Sequence, residues 1–314
     1  MGHGRRFFSS STVTICLTVM ATGAGIAAIN GQVGASAGDL VPAPPTISSS
    51  PPRVSDASAL TYPMDRYELS PDDQLLMSRA TIVLASACEN RFGVANSNSG
   101  NITTVPIDNS RHYGIASLAE AQVLGYHAPA AADPSSSSND KGASSAWTPS
   151  PLEELTAYGT GPGADALKDR DVNPLPNGGC YTQAWSQLVG PNPLDPEVAN
   201  SRSHDASTFA ENDERVQVAW RAWSECMAGF GLKFSSPWQA NDAGWKMDEP
   251  PTTDELRTAT SDAHCRDKTN LVGIWYAVES GYKNEIISMN SQEFTKLDAQ
   301  LVGERMRAVQ ALTH

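Results

Sequence analysis

The chain has 314 residues, and its 35 acidic side chains outnumber 22 basic ones, which gives a formal net charge of −13. A surface of this charge repels phosphate backbones and anionic lipid headgroups, so the composition disfavours nucleic acid and anionic membranes as partners. The charge names no substrate, because solubility alone accounts for it in an exported protein.

The first 37 residues have the pattern of a secretory signal peptide. A basic pair, Arg5 and Arg6, precedes the uncharged stretch STVTICLTVMATGAGIAAIN, and ASA at 35–37 is a small-x-small cleavage site. Cleavage there leaves 20 basic against 35 acidic residues, a net charge of −15. An uncleaved anchor is the alternative, disfavoured by the Thr and Gly in the stretch. We expect a secreted, extracytoplasmic protein, wall-associated or free, without an integral membrane segment after signal removal.

Composition divides the mature chain into a tail and a body. Residues 38–66 include PAPPTISSSPPR and are predicted to be a flexible, disordered tether, because they contain too few apolar side chains for a core. Residues 128–145 include SSSSND and are predicted to be a disordered surface loop. The rest suffices for two small helical modules, 67–200 and 201–314.

Capping motifs predict the helices of the first module. SPDD at 70–73 combines an N-cap, a proline at the first helical position and acids in the first turn, and it starts an amphipathic helix that passes Cys88 and stops near Gly93. SPLE at 150–153 repeats the start with a capping-box glutamate. A four-residue apolar spacing places Cys180 on the first turn of a further helix.

The second module has the stronger helical pattern. Residues 212–227 present one apolar face that includes Trp223, and Thr252 with Glu255 opens another helix. From there to residue 312 no proline occurs, and apolar residues recur mostly at steps of three, four or seven. The pattern predicts one or two long helices, with Asn290 as the candidate break. The expected fold is therefore mainly α, with disulfide-stapled helical hairpins, a long C-terminal helix and a flexible N-terminal tether.

Cysteine use agrees with export. Cys16 lies within the signal, and the four others form an even set, Cys88, Cys180, Cys226 and Cys265. Three pairings are possible, and sequence alone selects none rigorously. A hairpin staple between successive helices favours Cys226 with Cys265, which leaves Cys88 with Cys180. Metal ligation is disfavoured because the sequence contains no CxxC or HxxxH, and we expect neither metal nor cofactor.

Two of these cysteines stand in the same short motif, CENRFG at 88–93 and CMAGFG at 226–231. In each copy the cysteine precedes a phenylalanine by four residues, so the two side chains share a helical face just before a glycine. We expect each copy to end an amphipathic helix that carries half of a disulfide and an aromatic anchor.

The stretches WSECMAGFG and ELRTATSDAHC and an upstream Gly-Gly-Cys at 178–180 resemble a group of uncharacterised exported proteins and lipoproteins of high-GC actinobacteria. In them a Trp-x-x-Cys-Met helix precedes a helix ending Asp-x-x-Cys, matched here by Asp262 and Cys265. The resemblance covers residue 67 to the C-terminus, and its motifs are structural. Proteins that look like this are often encoded beside ABC-type exporters and periplasmic adaptor or peptidoglycan-binding components, so the resemblance implies work in the envelope. The chain departs from many of them by lacking a lipobox.

The sequence contains little that indicates catalysis. No GxSxG elbow occurs. His264 and Cys265 are neighbours on a predicted helix, so their side chains point about 100° apart and cannot readily pair. The glycines of YGTGPG, at 158–163, lack the strand and the GK[ST] of a phosphate loop and are typical of a turn. We therefore name no catalytic residue.

Tryptophans are the main candidates for binding. Five occur within 56 positions, and two of them, Trp223 and Trp275, fall on apolar helical faces that predict core packing. If exposed, the remainder would stack on sugars or anchor a protein partner. The candidate binding residues are Trp220, Trp238, Trp245 and Asp262, the last assigned to helix solvation or contact with a partner.

Two functions fit these patterns. The favoured hypothesis is a non-catalytic secreted protein that binds in the cell envelope, with an envelope protein or transporter component as partner and the C-terminal helix as contact. It would act as an accessory to an ABC-type export system. The alternative is a secreted hydrolase of a wall or extracellular polymer, whose acids and histidines meet only in the fold.

Overall fold

The computed structural model describes residues 41–95, 109–128, 150–195 and 197–313, so the predicted signal peptide and nearly all of the predicted loop at 128–145 lie outside the described residues. Within those ranges the chain forms ten α-helices and no strand, which confirms the mainly α fold. In chain order they are α1 (Pro71–Arg91), α2 (Leu118–Leu124), α3 (Pro151–Tyr158), α4 (Gly179–Val189), α5 (Glu197–Glu211), α6 (Glu214–Gly229), α7 (Pro237–Asn241), α8 (Thr253–Thr269), α9 (Leu271–Met289) and α10 (Ser291–Thr313).

The predicted capping motifs start their helices as expected. At α1 the Ser70 hydroxyl accepts from the backbone N–H of Asp73, and the Asp73 carboxylate accepts from the N–H of Ser70. Ser150 and Glu153 make the same reciprocal pair at α3. Thr252 caps α8. These bonds satisfy backbone donors that have no partner within the helix, which is why short sequence motifs locate the starts.

Both CxxxFG motifs end a helix, α1 and α6. The glycines that follow, Gly93 and Gly231, have φ values of +84° and +76°, a left-handed conformation that glycine adopts without steric cost. The expected aromatic anchor is wrong for Phe230, which is 45% exposed. Phe230 is already the C-cap and has left helical geometry, so its ring lies edge-on to His264 and not in the core.

Two disulfides have the favoured pairing. Cys88 in α1 is bonded to Cys180 in α4, and Cys226 in α6 is bonded to Cys265 in α8. The bridges close loops of 92 and 39 residues. By restricting the unfolded chain, each contributes on the order of 4 kcal/mol to stability.

The predicted boundary near residue 200 does not separate two compact units, since the described residues on both sides of it belong to one unit that begins at Pro42. Helix α10 packs against α1 and α4, and α2 packs against α8. At the first of these contacts Ala308 of α10 lies in one apolar cluster with Met77 of α1 and Leu188 of α4. The two halves of the chain therefore share cores that neither half contains alone.

The C-terminal region contains three helices instead of one or two. The predicted break at Asn290 occurs, and a further break lies at Asn270, which has a φ of +53°. Asparagine tolerates the left-handed region better than other non-glycine residues, so one residue ends α8 and begins α9 without interrupting the apolar periodicity. That is why periodicity alone did not reveal the second break.

The prediction of a flexible tether is wrong for residues 42–66, which pack against the body. Ala57 and Met64 are each 1% exposed, and Tyr62 is 7% exposed. A proline-rich stretch that we call the strap, residues 45–54, crosses α9 and contacts α6 and α8. A few buried apolar side chains hold the segment against the body. The average composition of the segment does not reveal them.

Two glycines of α9 let the strap approach. A Cβ at Gly273 would collide with the carbonyl oxygen of Pro52, and one at Gly281 would lie 2.7 Å from the Pro45 ring. Two arginine side chains also hold the strap through hydrogen bonds to backbone carbonyls. Arg215 donates to the carbonyl of Pro45 at 2.7 Å, and Arg53 of the strap donates to the carbonyl of Asp267 at 2.9 Å.

Gly273→Ala should release the strap, because the new methyl group has to displace the backbone at Pro52. We expect a loss of about 1–3 kcal/mol in the free energy of unfolding and faster tryptic cleavage after Arg53. Denaturant unfolding and limited proteolysis with mass spectrometry would measure the two effects.

Gly229→Ala is the matched control, because Gly229 is also helical and a Cβ there meets nothing within 4 Å. It should leave proteolysis unchanged and be neutral or stabilising by up to about 1 kcal/mol. Equal proteolysis of both variants would show that close approach at Gly273 does not hold the strap.

Candidate functional site

The three tryptophans predicted to bind are partly buried and pack against the main core. The rings of Trp220 and Trp238 meet Trp275 edge-on, at centroid distances of 5.1 and 5.4 Å. Trp245 stacks on Tyr126 at 5.6 Å, and its indole N–H donates to a backbone carbonyl. Trp223 and Trp275 are in the core as expected, at 0% and 1% exposed. The cluster thus serves packing in this structure, and ligand binding by its members stays a prediction.

Asp262 has no surface role, which corrects its assignment to helix solvation or partner contact. Its side chain is 0% exposed. One carboxylate oxygen accepts from the Trp223 indole N–H at 2.8 Å and from Arg266 Nε at 2.6 Å, and the other accepts from the Tyr126 hydroxyl at 3.1 Å. Because Asp262 shares a face with Cys265, the disulfide that draws α8 onto α6 also buries this carboxylate.

A second buried carboxylate organises a polar cluster that we call the Glu279 centre. Glu279 is 0% exposed and ion-pairs with Lys283 at 2.9 Å. His112 Nε2 lies 3.0 Å from the carboxylate, and the Ser207 hydroxyl donates to it at 2.9 Å. Lys283 also donates to the Ser203 hydroxyl at 2.8 Å. No local sequence pattern predicted this cluster, because its members come from α5, α9 and the segment before α2.

The Glu279 centre contains the residue types of a hydrolase in an arrangement that does not activate a nucleophile. The serine and the histidine of a catalytic pair must bond to each other, so that the imidazole accepts the hydroxyl proton. Here Ser207 and His112 both contact Glu279 instead. The amine of Lys283 is held as an ion pair with Glu279 while it donates to Ser203. The arrangement satisfies buried charges and positions α5 on α9.

A cavity beside α10 is the candidate site for a ligand. It has a volume of about 430 Å³ and lies between α10, the ends of α4 and α5, and the segment that enters α1. We call it the α10 groove. Its lining consists of Tyr67, Glu68, Leu69, Gln74, Trp185, Val189, Pro193, Leu194, Glu197, Asn200, Leu297, Gln300, Leu301 and Glu304. An apolar concave wall with a few convergent polar groups is typical of small-molecule sites.

The polar groups of the groove are mostly carboxylates and amides. Gln300 accepts from the backbone N–H of Leu194 at 2.7 Å and donates to Glu304 at 2.9 Å. Burial raises the pKa of Glu304, and the Gln300 bond and the charge of Arg307 offset this in part. Burial also raises the pKa of Glu68, helped by repulsion from a neighbouring aspartate. These two carboxyl groups are therefore ionised at a cost.

The outer face of α10 carries an exposed stripe, the α10 stripe, whose members follow one another at steps of four and three residues. They are Thr295, Ala299, Val302, Met306, Val309 and Thr313. Val302, Met306 and Val309 are 44%, 58% and 50% exposed. Alternating steps of four and three are the spacing at which one helix packs along another.

Sequence reasoning missed the groove because its lining comes from four separate stretches of chain. One local signal was present. Glu304 stands at a core-facing position of α10, in register with the buried Leu297, Leu301 and Ala308. An acid on the apolar face of an amphipathic helix is rare unless it is paired or functional.

Comparison of the chain with protein-family models, with curated proteins and with solved structures found no match. In the described part of the chain, no helix has the length and apolarity needed to cross a bilayer. Nor does any group of three or more His, Cys, Asp or Glu side chains among those residues have an arrangement that would hold a metal ion.

The Glu279 centre should make stability depend on pH in the acid range. Burial opposes ionisation of Glu279, but the His112 hydrogen bond and Lys283 outweigh it and lower the pKa from 4.5 to about 2. The unfolded chain thus takes up this proton first. The ionised group contributes its stability above about pH 4.5, and the contribution is lost as the pH falls towards 2.

Denaturant midpoints of the wild type and of Glu279→Gln, measured from pH 7 to pH 2, would isolate the contribution of the ionised Glu279 to stability. The other acids titrate in both proteins. The gap between the two stabilities should shrink as the pH falls from about 4.5 towards 2. Parallel profiles down to pH 2 would contradict the assignment.

Proposed function

We propose that this is a non-catalytic, extracytoplasmic binding protein of the cell envelope that holds a small ligand in the α10 groove. The groove is the observation that carries the proposal, because it combines a volume of about 430 Å³ with an apolar wall and convergent polar groups. Two disulfides and the signal-like N-terminus support a site of action outside the cytoplasm.

Absence of catalysis is supported by the arrangement of the reactive side chains. The groove lining includes no serine, cysteine, histidine or lysine, and two of its three glutamates, Glu197 and Glu304, accept hydrogen bonds from side-chain amides. The Glu279 centre places Ser207 and His112 on a common carboxylate, and its other serine, Ser203, accepts from Lys283. Such groups can recognise and hold a ligand, whereas a hydrolase needs a paired nucleophile and base, or two opposed carboxyl groups.

A groove-filling substitution would test ligand binding. Asn200 is exposed, lines the groove and lies on α5. Asn200→Trp should fill part of the cavity and abolish retention of small molecules from envelope extracts, measured by native mass spectrometry of the repurified protein. Ser201→Trp is the matched control, because Ser201 is also exposed, lies on the same helix and is not in the lining.

Retention by the wild type and the Ser201 variant, but not by the Asn200 variant, is the expected result. Retention by all three would place the ligand elsewhere. Recovery of chemically altered ligand from the wild type, with intact ligand from the Asn200 variant, would replace the binding proposal with the hydrolase alternative.

We further propose that the α10 stripe is where an envelope transporter component docks, through a helix of its own with apolar residues at matching steps. The opposite face of α10 is buried in the protein, with Phe294 at 1% and Leu297 at 3% exposed. The helix is therefore held rigidly while the stripe faces outwards. Deleting α10 would unfold the body, so only a surface substitution tests this proposal.

Met306→Glu should prevent docking without disturbing the fold, because Met306 is 58% exposed. Met247→Glu is the matched control, at 54% exposed on another part of the surface. After crosslinking on the native host, mass spectrometry should identify a transporter component with the wild type and the control, and none with Met306→Glu. Equal recovery with all three proteins would refute docking through the stripe.

A further inference from the structure

The lining of the α10 groove carries negative charge only. Three of its residues are glutamates, Glu68, Glu197 and Glu304, and none is a lysine, an arginine or a histidine. A cavity with this lining repels anions and attracts cations. Negative charge alone does not make a binding site, so the hydrogen bonds and ion pairs of the individual carboxylates have to be considered.

Two of the three basic side chains of α10, Arg305 and Arg307, are engaged by partners other than the carboxylates of the groove lining. Arg305 makes a two-pronged ion pair with Asp73 at 2.5 and 2.7 Å. Arg307 donates to the carbonyls of Leu188 and Val189. Neither guanidinium lies within ion-pair distance of Glu304.

Glu304 is a buried carboxylate that makes no ion pair with a described residue, although the charge of Arg307 acts on it from a longer distance. It is 4% exposed, and its Oε1 accepts a hydrogen bond from the neutral amide of Gln300. No described residue donates to Oε2 or makes an ion pair with this side chain. Buried carboxylates in proteins are normally paired with a positive group. Since Glu304 lines the cavity, a ligand can supply that group.

The rest of the wall fits an organic body better than a bare ion. Trp185 is 46% exposed and offers an indole ring to the groove, which is a favourable surface for an alkylammonium group. One face of Tyr67 already carries the guanidinium of Arg66, 5.1 Å from the ring centre. The remaining lining is largely aliphatic and consists of Leu69, Val189, Pro193, Leu194, Leu297 and Leu301.

We propose that the α10 groove binds an organic ammonium ion, with its cationic head recognised by Glu304 and Trp185 and its apolar body by the aliphatic wall. This inference rests on the proposed function, whose ligand class it names. A neutral sugar would stack on Trp185 but leave Glu304 unpaired. A metal ion would leave most of the cavity unfilled.

Two probes of the same shape test the role of charge. Choline and 3,3-dimethylbutan-1-ol differ in one atom, a cationic nitrogen against a neutral carbon. Isothermal titration calorimetry of the purified protein should give a dissociation constant for choline at least about tenfold lower than for the alcohol. Equal affinities would overturn the inference, because the groove would then recognise shape alone.

Glu304→Gln should weaken choline binding about tenfold or more, since it removes the buried charge and keeps the shape. The same substitution should leave the melting temperature unchanged or raise it by a few degrees, because the raised pKa of Glu304 marks a carboxylate that costs stability when ionised. Glu89→Gln is the matched control, since burial also raises the pKa of Glu89, which does not line the groove. Full choline affinity in Glu304→Gln would overturn the inference. If that variant fails to fold, Trp185→Ala takes its place, because Trp185 is half exposed.

N-acetylglucosamine separates failure of this inference from failure of the proposed function. If the sugar binds to the wild type but not to Asn200→Trp, and no cation competes with it, the groove remains a binding site but its ligand is not an organic ammonium ion. If neither the two isosteric probes nor the sugar binds, and no envelope molecule is retained, both proposals fail.

Discussion

The buried carboxylate of Asp262 is the interaction on which the fold depends. Its oxygens accept from α6, from within α8 and from the turn after α2, and Arg266, which it holds, donates to the backbone carbonyl of Tyr113. A buried charge is tolerated only when nearly every hydrogen bond to it is made. The constraint therefore fixes three segments in one arrangement, beside a disulfide that prevents α6 and α8 from separating.

The helices that follow Asp262 in the chain, α9 and α10, lead to the groove. The turn at Asn270 directs α9 under the strap, and the Glu279 centre joins α9 to α5. After the break at Asn290, α10 returns to pack on α1 and α4. The groove lies where α10 bridges these elements, so its walls are as rigid as the helices that supply them. Such pre-formed walls reduce the ordering cost of binding a ligand.

Local chemistry could be read from the sequence, and long-range geometry could not. Ser70 and Ser150 predicted helix starts because a cap acts within three residues, and the favoured pairing of Cys226 with Cys265 followed from adjacent helices. Asp262 was misassigned because an acid on a helix normally faces water. Its contact with Trp223 of α6, which the sequence does not reveal, buries it instead. The strap was missed because Gly273 acts on Pro52, more than 200 positions earlier. The groove was missed for the same reason, since no single stretch of the sequence contains its lining.

The bridge between Cys88 and Cys180 also has a topological consequence. It makes residues 88–180 a covalent ring, so a protease that cuts the backbone once anywhere within that interval opens the ring without releasing a fragment. Helices α1 and α4, which form two sides of the groove, stay tethered through such a cut. A single cut of the backbone between Cys88 and Cys180 would therefore leave both halves of the chain joined through the disulfide.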